Sequence, residues 1–118
     1  MMPFLNAAEF PWHEPPGHVG GYSRYLVNPD QGGSRYFDFR ISRYPAGGRV
    51  DPHVHEIAEH VYYVIAGHGR AECGGERREV GPEDVMFVPP GVSHSLVSSG
   101  PDDLVFVVAT SPPSDIAR

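Results

Sequence analysis

Glycine and proline break this chain at such close intervals that no window carries the i, i+3, i+4, i+7 apolar stripe of an amphipathic helix. There are 14 glycines and 13 prolines in 118 residues. What lies between the breaks is short and rich in β-branched and aromatic residues. Residues 35–44 alternate Phe37, Phe39 and Ile41 against Tyr36, Asp38, Arg40 and Ser42, the period of a strand with one face more apolar than the other. Residues 60–65, 69–73, 76–80, 85–88, 93–97 and 104–109 are further candidate strands, and Gly74-Gly75 joins two of them as a hairpin. Many short strands with closely spaced turns predict an all-β sandwich or barrel. Residues 1–34 read instead as an irregular N-terminal arm, with one strand-like run at Tyr22–Val27, and residues 111–118 as a flexible tail.

Composition removes several function classes. Six Phe, six Tyr, one Trp and 40% hydrophobic residues are too many for a disordered chain. The formal charge of −6 argues against nucleic acid or an anionic membrane as partner. The longest apolar runs, 61–66 and 104–109, fall far short of the roughly 20 residues that cross a bilayer. The N-terminus carries neither a basic nor an apolar signal-peptide region, and a single cysteine, Cys73, has no internal partner; both suit a cytoplasmic protein.

Seven histidines are the excess that points to chemistry. His53 and His55, two apart on an extended segment, project side by side, a spacing suited to one metal ion. His60 lies an odd number of residues beyond His55, so a turn at 56–58 must intervene before it can rejoin them. His94 starts a later strand, and a closed sheet is needed to carry it to the others. Glu59 is the alternative to His60, admitted only by a local bulge, because strand neighbours face opposite ways.

These residues resemble the two sequence motifs of the cupin superfamily. Gly47, His53, His55 and Gly67 match the first, with His60 where its glutamate stands; Pro89, Gly91 and His94 match the second, with Glu83 in place of a glycine and Ser98 in place of an asparagine. The resemblance covers most of the chain. It implies a double-stranded β-helix, or jelly-roll barrel, over residues 35–110, one divalent transition metal (zinc, iron, nickel, copper, cobalt or manganese) held by His53, His55, His60 and His94, and a homodimer. Four neutral imidazoles add no negative charge, so the ion would attract an anionic or enolate-like substrate. The implied function is a metal-dependent enzyme acting on a small organic molecule as cyclase, isomerase, lyase or dioxygenase. The alternative is a non-catalytic cupin that binds a metal or small ligand.

Around the site, Tyr62 and Val64 share the face of His60, and Tyr62 and Glu59 are the candidate acid–base groups. Val85 and Phe87 are expected in the core, and Cys73 as a small buried thiol. His13, His18 and His68 are expected at the surface, with cover over the barrel mouth as the alternative for His13 and His18, and Trp12 and Phe10 are expected packed on the barrel or on a second subunit. Residues Tyr36, Asp38 and Arg40 fit a pocket or an outer face equally well.

Overall fold

The computed structural model of the chain describes residues 3–115. Ten strands form two five-stranded antiparallel sheets: β1 (His18–Val19), β2 (Tyr22–Val27), β3 (Asp38–Tyr44), β4 (Arg49–His53), β5 (Glu59–Ala66), β6 (Gly69–Cys73), β7 (Glu76–Val80), β8 (Val85–Val88), β9 (His94–Ser98) and β10 (Leu104–Ser111). One sheet has the order β2-β3-β10-β5-β8 and the other β1-β4-β9-β6-β7, the two layers of a jelly roll. Helical structure among the described residues is confined to three short 3₁₀ turns, and no helix is long and apolar enough to cross a membrane.

The arm is less irregular than its prolines and glycines suggest. Its β1 pairs with β4 and its β2 with β3, so residues 18–27 extend both sheets. The described part of the tail is not loose either: β10 runs on to Ser111, and a 3₁₀ turn at Pro113–Asp115 folds back on the protein, while 116–118 lie outside the described residues.

Strand alternation places the core. On β10, Leu104, Phe106, Val108 and Thr110 are buried and their neighbours are not. Pairing of β10 with β5 and β3 sets up rows across the inner face: His60–Thr110–Asp38, then Tyr62–Val108–Arg40, then Val64–Phe106–Ser42. Tyr44 and Phe106 meet edge to face with centroids 5.0 Å apart, and truncating such a buried aromatic costs about 3–5 kcal/mol. Gly67, at φ +77°, bridges β5 and β6, where a Cβ would collide with the Asp103 carbonyl.

On β3, whose inward face the sequence leaves open, that face is the polar one, Asp38, Arg40, Ser42 and Tyr44, while Phe39 and Ile41 turn outward. Two side-chain expectations are corrected. Val85 and Phe87 are not core: they are 60% and 55% exposed, because β8 pairs with β5 in the register that turns Met86 and Val88 inward. Cys73 is only half-buried. Outward-facing Val61, Tyr63 and Ile65 are also exposed, so the outer face of this sheet is apolar across β5 and β8. Trp12 covers the other half of that face, lying over the guanidinium groups of Arg24 and Arg43 at 4.3 and 5.0 Å.

Candidate metal centre

Four histidines from three strands and one loop converge inside the roll. His53 closes β4 and pairs with His94, the first residue of β9, their rings 4.1 Å apart. His55 lies just past the end of β4, tied to the loop before β9 by the Gly91 N–H, which donates to its carbonyl at 2.8 Å. His60 is the first inward residue of β5, its ring 4.6 Å from that of His55 and 5.2 Å from that of His94. Ligand nitrogens of His53, His55 and His94 all lie within 4.8 Å of one another; His60 flanks this trio and is not a member of it.

In each ring Nδ1 is occupied. His53 Nδ1–H donates to the Asp51 carbonyl at 2.8 Å, His94 Nδ1–H to that of Val92 at 3.0 Å, and His55 Nδ1–H to that of Asp115 at 2.9 Å. A carbonyl only accepts, so these nitrogens carry the proton and Nε2 keeps the lone pair. His60 Nδ1 bonds the Thr110 hydroxyl at 2.7 Å. The Nε2 atoms of His60 and His94 are buried with no hydrogen-bond partner among the described residues. Buried polar atoms are normally satisfied, and an imidazole nitrogen left bare beside others of its kind is the donor set a transition ion needs.

Charge state agrees. Burial, assisted by the neighbouring imidazoles, lowers His60 to about 3 and His94 to about 4, and burial lowers His53 as well. All three rings are therefore neutral near pH 7 and able to bind a cation.

Glu59 does not reach the centre. It is exposed on the outer face of β5, one residue out of phase with His60, and no bulge at that end of the strand brings it in. As a catalytic candidate it is withdrawn. Tyr62 is buried in the wall, its ring 6.1 Å from His60 and 6.4 Å from His94. Burial pushes its phenol above the ordinary range, so it stays protonated.

From these histidines opens a cavity of about 470 Å³, walled by Tyr62, Phe106, Tyr44, Val50 and Val108 among others. His18 also lines it, the alternative to a plain surface place, with its ring edge-on to Tyr44 at 5.9 Å. Arg40 supplies the one cationic side chain in this wall, its Nε donating to buried Asp38 at 2.6 Å. Thr110 could have been anticipated as the polar end of the alternating run Phe106, Val108, Thr110. For Arg40 the sequence leaves pocket and outer face open and the burial of β3 decides for the pocket, and nothing in the sequence marks Asp115.

Residues 40–110 match the family model described as a cupin domain. The chain belongs to the cupin family. This cupin is 33% identical over 69 residues to an oxalate-binding protein of Thermotoga maritima, 58% of this chain and 57% of that one. The matches span only 55–57% of the length of the curated relatives. Among solved structures it is similar to the polyketide cyclase RemF of Streptomyces resistomycificus, with TM-score 0.81, 27% identity, and coverage of 96% of this chain and 83% of that one. It shares its fold with a predicted oxalate decarboxylase of Thermotoga maritima, with TM-score 0.82, 24% identity, and coverage of 92% and 97%.

Proposed function

We propose that this cupin is a metal-dependent enzyme acting on a small enolisable or aromatic molecule, of the cyclase, isomerase or lyase kind. The observation that carries the reading is the set of rings fixed through Nδ1, with Nε2 left for a common centre at the wall of an aromatic-lined cavity. His53, His55 and His94 would hold one divalent transition ion, with His60 as the fourth nitrogen donor. Such an ion, when bound, polarises a carbonyl or stabilises an enolate, and a redox-active one opens the dioxygenase variant.

The remaining roles belong to the chain's own groups. Tyr44, Tyr62 and Phe106 form flat walls against a planar substrate and exclude water from it. Tyr62, held protonated, can donate its O–H to a developing oxyanion. The candidate donor set of histidines holds no carboxylate, so with an ion bound an anionic substrate would meet net positive charge. The similarity to a polyketide cyclase at 27% identity supports this class of substrate. Homodimer formation through the apolar outer face of β5 and β8 belongs to the same reading.

Metal analysis and turnover test it together. Purified protein should carry about one transition ion per chain, lost when His53 and His55 are both changed to Ala, and should convert an enolisable aromatic ketone. Full metal occupancy in the double variant would overturn the reading. A second reading, a non-catalytic binding protein, is favoured by the relative named for oxalate binding. It predicts reversible binding of oxalate to the metal-loaded protein with no product.

A further inference from the structure

The four imidazoles are not oriented in the same way. His53 and His94 each donate to a carbonyl two residues back on their own segment, so local backbone is enough to aim them. His55 has no such local partner. Its Nδ1–H donates to the main-chain carbonyl of Asp115, 60 residues away. The Asp115 carboxylate holds the same loop a second time: Oδ2 accepts from the N–H of Ile57 at 2.7 Å and of Ala58 at 2.8 Å. Ala58 is fully buried, so its N–H would be orphaned without that oxygen. The segment clamped in this way, residues 54–58, is the only covalent connection between β4, which ends in His53, and β5, which opens with Glu59 and His60.

We propose that Asp115 is a positioning residue of the metal centre, its carbonyl orienting His55 and its carboxylate holding the 56–58 turn against the C-terminal segment. The proposal rests on the metal reading above for its consequence, but not for its geometry. The residue acts at a distance from the ion, through the ring it aims. Residues that orient a ligating imidazole typically change metal affinity by about 10- to 100-fold when lost. The carboxylate ties the end of this segment to the 56–58 turn, beyond buried Pro113 in the short 3₁₀ turn that follows β10. Removing the side chain should loosen the carbonyl with it.

Two measurements on the full-length protein test this. The first uses cobalt(II) alone as probe, in wild type, Asp115→Ala and Asp115→Asn. Asp115→Ala should weaken cobalt binding about 10- to 100-fold and shift the visible absorption bands of the ion, because one nitrogen donor is no longer held. Asp115→Asn keeps one acceptor oxygen and should recover part of both. The second needs no metal: long-range ¹H–¹⁵N spectra of the metal-free protein should show His55 protonated at Nδ1 in wild type and as a mixture of tautomers in Asp115→Ala. Equal affinity, equal bands and an unchanged His55 tautomer in Asp115→Ala would overturn the proposal. Failure of the wild type to bind cobalt would instead overturn the metal reading, while the tautomer spectra would still decide the role of Asp115. Should Asp115→Ala not fold, Asp115→Ser, whose shorter side chain withdraws the acceptor from the Ile57 and Ala58 amides, is read by the same two measurements: wild-type affinity and an unchanged His55 tautomer in it would overturn the clamp.

Discussion

His60 Nδ1 and the Thr110 hydroxyl are 2.7 Å apart in the buried row shared by β5 and β10. With the hydroxyl accepting, His60 keeps its lone pair on Nε2, beside His55 and His94. Thr110→Val preserves the shape and removes the acceptor. It should lower metal affinity by about 10-fold or more, with Thr110→Ser close to wild type. Competition titration against a chelator measures both, and equal affinity of all three proteins would show that the hydroxyl does not orient the ring.

The metal-free protein should lose stability on acidification earlier than its carboxylates require. His60 is lowered to about 3 and His94 to about 4, mainly by burial, against 6.5 for an ordinary histidine. The unfolded chain therefore takes up protons near pH 6.5 that the folded one refuses. The stability associated with the neutral rings is complete above that pH and declines as pH falls from 6.5 towards 3–4. Thermal unfolding of chelator-treated protein should show a melting temperature falling steadily over that window, and less steeply in His60→Ala. A flat profile down to pH 4 would contradict the burial of these rings.

Phase on β5 separates His60 from Glu59. His60 is buried among the other rings and Glu59 faces solvent. His60→Ala should weaken metal binding about 10-fold or more, whereas Glu59→Ala should leave binding and stability within about 0.5 kcal/mol of wild type, as surface substitutions usually do. Elemental analysis after dialysis checks the pair, and metal loss in the Glu59 variant alone would reverse the assignment.

The convergence of the histidines was legible because it depends on two simple regularities. Strand alternation fixes which side of β5 His60 takes, and paired turns return His94 to His53. What escaped was the identity of the inward face elsewhere. On β3 the sequence leaves open which face turns inward: the apolar set Phe39 and Ile41 faces out, and the inner positions hold Asp38, Arg40 and Ser42, of which Arg40 and Ser42 reach the cavity. On β8 the same rule failed for Val85 and Phe87, since a four-residue apolar strand has no polar face to reveal its phase. Asp115 was out of reach for another reason, and His18 open only as an alternative: each meets the site through tertiary contacts with no periodicity behind them.

Glu83 stands where the family motif carries glycine, and its backbone keeps the left-handed conformation at φ +74°. A side chain there costs about 1–2 kcal/mol, of which glycine would return part and lose part through greater freedom in the unfolded chain. Glu83→Gly should therefore stabilise the protein by about 0.5–1 kcal/mol, read from denaturant unfolding at unchanged slope. Its amide donates to the Val64 carbonyl at 2.9 Å, a bond the substitution retains. Destabilisation by this variant would mean that the Glu83 side chain makes a compensating interaction.

Val61, Tyr63, Ile65, Val85 and Phe87 lie side by side on the outer face of β5 and β8, each between 41% and 60% exposed. A contiguous apolar patch of this kind is a candidate surface for the proposed homodimer. The described residues of the chain's own arm leave it exposed, with Trp12 on the β2–β3 half of the same face, over Arg24 and Arg43. A two-fold axis sets a patch against itself, and these five side chains carry no charge to repel their copies. Wild-type protein should therefore sediment as a dimer at micromolar concentration. Tyr63→Glu with Phe87→Glu places like charges on both sides of that axis and should give a monomer with unchanged metal content, because neither residue touches the inner face. Sedimentation velocity decides between them: a monomeric wild type, or a double variant that remains dimeric, would remove this face as the site of self-association.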